Sequence, residues 1–274
     1  MKSILFILTF ILSINAFADN KLQEKINDAF NFAELATANT IFHELGHFVI
    51  RNYDVQKFTF EEDLADSYVV YNLLKKPSQY KSKEIYEKYS KDHHKVLMAG
   101  ADIFYYRTLL GIDNKVTAYS HSTDERRFYN YVCLMKDGNP NFFNDYISKR
   151  QLELFLKNKC RSRYNNLVKS WKFFLNDKWG SNKKDYYKVI YKKSEVRKHK
   201  IIREYLSRDN NWINWSMKEF RTKTSNKLTV SFENCNGIKN AYYIDKSKTI
   251  KICYEYFQSL VDLRMKILKL KESL

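Results

Sequence analysis

Glycine and proline are scarce in this chain of 274 residues, at 6 and 2. Such a sequence cannot build a collagen-like repeat, a Pro/Gly-rich linker array or a turn-dense all-β fold. Histidine is equally rare, at 6. The 4 cysteines include no CxxC pair, which excludes a zinc ribbon and a thioredoxin-like motif. Beyond the first twenty residues no apolar run approaches a bilayer span, so the mature protein is expected to be soluble. Negative charge is also in deficit, with 31 Asp and Glu against 48 Lys and Arg, a formal charge of +17. Aromatic residues are abundant: 21 Tyr and 19 Phe, with hydrophobic residues at 44%, exclude wholesale disorder. The length suits one sizeable domain or two small ones, with a core that needs no metal or disulfide to stand.

The charge is unevenly placed. Residues 19–146 hold 16 basic and 19 acidic side chains, residues 147–208 hold 19 and 5, and residues 209–274 hold 12 and 7. If charge recruits a partner, residues 147–208 would meet it, and an anionic envelope polymer or lipid surface fits best. No nucleic-acid recognition motif accompanies the charge, so nucleic acid is not expected.

The first residues have the build of a secretory signal peptide. Lys2 supplies the positive start, Ile4 to Leu12 the apolar stretch, and Ala16-Phe17-Ala18 a small-x-small cleavage site. The expected address is secreted or periplasmic, where Cys133, Cys160, Cys235 and Cys253 can oxidise. Of three possible connectivities, Cys133–Cys160 with Cys235–Cys253 is the simplest.

Hydrophobic spacing predicts helices over residues 28–52, 61–76, 83–110, 122–138 and 147–176. Residues 177–225, rich in Lys, Asn and Ser, read as a solvated connector. The period then changes to two, predicting strands at 228–232, 241–244 and 249–253, with turns at Asn236-Gly237 and Asp245-Lys246-Ser247. A last helix, 254–272, follows. The expected fold is α+β and predominantly helical, with a small antiparallel hairpin or meander near the C-terminus. Its parts are a signal peptide (1–18), a helical catalytic region (19–176), a basic connector (177–225), and a hairpin plus helix (226–274) packing back on the catalytic region.

The chemistry centres on His43-Glu44-Leu45-Gly46-His47. Histidines at i and i+4 share a helix face and can converge on one Zn²⁺ through neutral imidazole nitrogens. Glu44 lies beside them, placed to take a proton from a metal-activated water and pass it to a leaving amine. Two histidines leave zinc one protein ligand short. Glu62-Asp63-Leu64-Ala65-Asp66 offers Glu62 as that ligand and Asp66, four residues on, as support for a histidine; Glu61 is the alternative if the register differs by one. A third cluster runs from His121 to Asn130. There His121 and Arg127 could face a polarised carbonyl, although spacing alone favours a capped helix with surface charges. His93 and His94, in a Lys/Glu-rich helix, are expected to face solvent, and His199 to join the basic surface.

These motifs resemble a family of secreted bacterial metallopeptidase-like proteins catalogued as a domain of unknown function. The resemblance rests on His43–His47, Glu62–Asp66, the His121–Asn130 stretch with Cys133, and then Cys160, Tyr164 and Trp171. More remotely, ExxAD and a His six residues before an Arg are similar to the neprilysin and thermolysin (gluzincin) class. That likeness implies zincin-like helices, Glu62 as third ligand, and transition-state roles for His121 and Arg127. Glu233-x-Cys235-Asn236-Gly237, Asn240-Ala241-Tyr242-Tyr243 and Ile252-Cys253-Tyr254-Glu255 resemble a hairpin that family members carry before the HELGH helix. Here it comes last, an order equivalent to a circular permutation. The expected function is a zinc-dependent peptidase acting on peptides or proteins, with Glu44 as general base. The alternative is a non-catalytic, basic envelope-binding protein with a structural or vestigial zinc site.

Overall fold

The computed structural model describes residues 2–55, 60–74, 83–112, 122–152, 156, 160, 162–175, 187–209, 211–219 and 227–273. The helices whose bounds lie in described residues begin with α1 (Lys2–Asn52), α2 (Glu61–Leu73), α3 (Lys83–Leu109), α4 (Asp124–Gly138), α5 (Pro140–Ser148) and α6 (Arg163–Phe174). Then come β1 (Tyr187–Tyr191), α7 (Arg197–Leu206), α8 (Trp212–Glu219), β2 (Leu228–Glu233), β3 (Ala241–Ile244), β4 (Thr249–Cys253) and α9 (Tyr254–Glu272). The fold is α+β, mostly helical with one small sheet. Among the described residues no helix is long and apolar enough to cross a membrane.

α1 is the axis of the molecule. Every side chain from Phe32 to Ile50 except Thr40 is buried, because α2, α3, α8, α9 and β3 all pack around it. A helix enclosed on all sides needs no polar face. The polar groups it does carry in that stretch, including Glu34, Asn39, His43, Glu44 and His47, must therefore find partners inside. Asn39 bonds Val96 O (3.2 Å) and the Tyr131 hydroxyl (3.2 Å). The Glu34 carboxylate accepts from the Trp212 backbone N–H at 2.6 Å, where α8 starts. Lys21 and Lys25 of α1 both pair with Glu272, which holds the end of α9 against α1.

The strand order is β1-β2-β4-β3. β3 and β4 form the antiparallel hairpin expected from the sequence, in the register Ala241↔Ile252 to Ile244↔Thr249. β2 joins β4 in parallel and β1 joins β2 in parallel, which leaves β3 as an edge. Both disulfides form as the simplest pairing predicts, Cys133–Cys160 and Cys235–Cys253.

The helix expected over 28–52 begins at Lys2, and two further stretches differ from expectation. Residues 187–219, read as connector, contain β1, α7 and α8. The lysines of α7 surround only three buried side chains, His199, Ile202 and Leu206, a sparse stripe that composition hides. The helix expected over 147–176 is broken. Asn139 caps an earlier start at Pro140, and Gln151 (φ 54°) and Ser162 (φ 64°) take left-handed conformations. α6 then begins where the Asp137 carboxylate accepts from the backbone N–H of Ser162 (3.2 Å) and Tyr164 (2.8 Å).

His93, His94 and His199, expected at the surface, are buried. His199 is buried, its ring 5.5 Å from that of Tyr254, with Ser194 Oγ 3.3 Å from Nδ1. His93 and His94 are each 1% exposed. Adjacent helix positions point different ways, but α3 is covered on both: His93 lies against Trp215 of α8 and His94 against Phe142 and Phe143 of α5. Burial, with some help from the charge of His93, pushes the His94 pKa down from 6.5 to about 4. Its folded-state value is below the unfolded one, so the neutral ring's contribution is whole above pH 6.5 and is lost as pH falls from 6.5 towards 4. That difference amounts to about 3 kcal/mol. Urea unfolding at stepped pH should show this loss, and His94→Gln should flatten it; an unchanged slope in the variant would assign the acid lability elsewhere.

Candidate metal centre

His43 and His47 sit one turn apart on α1, ring centroids 4.9 Å apart and both buried. Their Nε2 atoms face the two oxygens of one carboxylate: His43 Nε2 is 3.0 Å from Glu62 Oε2, and His47 Nε2 is 3.4 Å from Glu62 Oε1. The Nδ1 atoms are held separately, His43 by Asp66 Oδ1 and His47 by Glu61 Oε1, each at 2.8 Å. A carboxylate on each Nδ1–H fixes the ring and the tautomer left once Nε2 gives up its proton, so that Nε2 can ligate a metal on the side facing Glu62. Donor atoms of His43, His47 and Glu62 lie within 4.8 Å of one another. Two imidazoles and one carboxylate suit zinc and similar borderline divalent ions, and the prepared tautomers fit a metal as this donor set requires.

Each supporting carboxylate is itself held by an arginine. Arg127 of α4 grips Asp66 through two bonds, Nε to Oδ2 (2.7 Å) and Nη2 to Oδ1 (2.8 Å), with its guanidinium 4.2 Å from the Phe104 ring centre. Arg51 donates through Nε to Glu61 Oε1 at 2.9 Å. Arg127–Asp66–His43 is therefore a buried relay and Arg51–Glu61–His47 a more exposed one.

The register between α1 and α2 depends on Gly46. A Cβ built there would stand 2.8 Å from the Cα of Ala65, so only hydrogen lets the two backbones meet at this point. In a free helix Gly→Ala gains about 1 kcal/mol. Here Gly46→Ala should instead lose about 1–3 kcal/mol through overpacking and move Glu62 away from the histidines. Thermal unfolding together with zinc titration checks this, and a more stable variant with unchanged zinc affinity would refute it.

The charges follow from burial and pairing. Burial alone would push the His43 pKa down, but the carboxylates of Asp66, Glu62 and Glu44 reverse this and raise it to about 10. Burial also works against ionising Glu62, yet hydrogen bonds with His43 and His47 outweigh it and hold the carboxyl far below its usual range. Against the same penalty, Arg127 and His43 hold Asp66 near 2. Glu44 differs: desolvation dominates and pushes its pKa up, against the charges of the two histidines and a hydrogen bond with the Tyr243 backbone.

Glu44 opens into a cavity of about 290 Å³ beside the histidines. Its walls include Phe104 and Arg107 of α3, Tyr242 and Tyr243 of edge strand β3, and Tyr256 of α9. Since the Tyr243 N–H reaches Glu44, strand alternation turns the amides of Ala241 and Tyr243 away from β4 and towards this cavity.

Most of the expected residues meet here: His43, Glu44, His47, Glu62, Asp66 and Arg127 all line the cavity. Glu61 stands at Nδ1 of His47, leaving Glu62 opposite both Nε2 atoms. His121 lies outside the described residues. Arg107, Tyr256 and Thr40, whose Oγ1 is 2.7 Å from the Tyr256 hydroxyl, were not anticipated. A family model described as "putative metallopeptidase" matches residues 3–175. The chain belongs to that family. The family match therefore includes every residue of the histidine–carboxylate cluster, while the sheet and α9, which complete the cavity, lie beyond it. No curated protein and no solved structure matches the chain.

Proposed function

We propose that this metallopeptidase-family chain is a zinc-dependent peptidase with Glu44 as general base. The observation that carries the reading is the convergence of both Nε2 atoms on Glu62, with Glu44 beside them in a cavity walled by a strand edge. His43, His47 and Glu62 are the ligands. A bound divalent metal supplies Lewis acidity, polarising the scissile carbonyl and lowering the pKa of water. Glu44 takes the proton from the attacking water and delivers it to the amide nitrogen as the C–N bond breaks. Asp66 and Glu61 hold the imidazoles in register. Arg127, with Nε and Nη2 committed to Asp66, acts as a positioning residue. The outward edge of β3 offers an extended peptide a strand to pair with, through the Ala241 amide while that of Tyr243 holds Glu44.

The likeness to the gluzincin class, including ExxAD on α2, supports the same reading. Secreted or periplasmic residence is part of the proposal, supported by the leader sequence and the two disulfides. So is the permuted order, since the ion pairs of Lys21 and Lys25 with Glu272 place α9 where a direct connection into α1 would be short. The test is metal content by mass spectrometry together with cleavage of a broad peptide library. One zinc per chain is expected, with cleavage lost on chelation and restored by zinc. Fully zinc-loaded protein that cleaves no peptide would overturn the proposal.

A further inference from the structure

We propose that the substrate carries carboxylates next to apolar side chains on one side of the scissile bond, and that a second cavity selects them. The inference rests on the peptidase reading and names its substrate class. This cavity, about 590 Å³ against about 290 Å³ at the metal centre, continues the same trough: Ile103, Arg107 and Tyr256 line both. α9 forms its length, because Tyr256, Ser259, Leu263 and Lys266 recur every three or four residues and fall on one helix face.

The chemistry of the lining is two-sided. Leu260, Leu263, Met265 and Ile112 give it an apolar surface, with Ile112 48% exposed. Lys239, Lys266 and Lys269 stand at the same cavity. Among the described residues no ion pair involves these three lysines, whereas the cations of the metal centre are paired, Arg51 with Glu61 and Arg127 with Asp66. Arg107, at the junction, is paired with Asp124 at 2.9 Å. Among the described residues the lining holds one carboxylate, Asp262, which accepts from Gln258 Nε2 at 2.8 Å. Three lysines against one aspartate leave these described residues a positive surplus over an apolar surface. An acidic, partly apolar peptide segment complements it, and continuity with the metal centre makes substrate the occupant. Lys239, Lys266 and Lys269 all lie outside residues 3–175, so the selectivity belongs to this chain and not to the family match.

The experiment has two arms. Cleavage sites from a peptide library on the zinc-loaded wild type should show Asp or Glu enriched on one side of the cut. In parallel, zinc-loaded Glu44→Gln protein should bind fluorescent peptides bearing Asp or Glu about tenfold more tightly than matched Asn or Gln peptides, the gain shrinking as salt rises. Lys266→Glu with Lys269→Glu should collapse that ratio towards one, while Lys198→Glu on α7 leaves it unchanged. Cleavage without acidic bias, or a ratio indifferent to the double reversal, overturns the inference and leaves the peptidase reading standing. Failure to bind or cleave any peptide overturns both.

Discussion

Glu44→Gln is expected to keep the metal and lose the reaction. The amide matches the carboxylate in size and still presents an oxygen to the Tyr243 backbone, so the packing of α1 against β3 is retained. Neither imidazole relay includes Glu44, and the ligand atoms of His43, His47 and Glu62 are untouched. Burial already disfavours the Glu44 anion, so a neutral side chain should cost no stability. What disappears is, among the described residues lining the cavity, the only carboxylate that is neither facing Nε2 nor holding an Nδ1. Loss of a general base typically costs about 10²–10⁴ in rate, so kcat should fall by that factor at unchanged zinc stoichiometry and melting temperature. A variant within twofold of wild-type kcat would remove Glu44 from the chemistry.

Asp66→Ala should have the largest structural effect. It leaves the buried Arg127 guanidinium without its bidentate partner and the His43 Nδ1–H without an acceptor. Breaking a buried ion pair from one side costs about 3–5 kcal/mol, and removing the support of a ligating histidine costs about 10–100-fold in metal affinity. Glu61→Ala is the natural contrast. It frees His47 in the same way, but its arginine, Arg51, is 42% exposed at the side chain and can turn to water. A surface pair of that kind is worth about 1 kcal/mol or less. The two variants should thus weaken zinc binding comparably and differ by several kcal/mol in unfolding free energy. Equal destabilisation would show that the Arg127 relay is not the buried support described above.

The legible part of the site was the local part. The histidines, Glu44, Glu62 and Asp66 fall at spacings of three and four on two helices, and helical periodicity alone puts them on facing sides. The strands and α9 were legible for a similar reason: a change of period from 3.6 to 2 and back, punctuated by turn residues, is visible in the sequence itself. What periodicity could not convey was which helices are enclosed. His93 and His94 read as surface residues because α3 is rich in Lys and Glu, yet α8 and α5 cover it from two directions. β1 and α7 were hidden by the lysines around a few apolar positions. Tyr256 and Arg107 had no local signature, since each reaches the cavity only through tertiary packing. Tyr256 meets Thr40 across 216 residues of sequence.

That last contact bears on the order in which the chain is made. The helix with both histidines and Glu44 is synthesised before the strand and helix that turn the cluster into a trough. Arg264 bonds Asp28 across 236 residues, and Glu272 bonds Lys25 across 247. Contacts of such separation form late and slowly. A nascent chain halted before residue 241 already holds His43, Glu44, His47 and Glu62, but has neither the edge amides of β3 nor α9. During synthesis the centre thus has its ligands before it has its trough, and β3, β4 and α9 are the step that completes it.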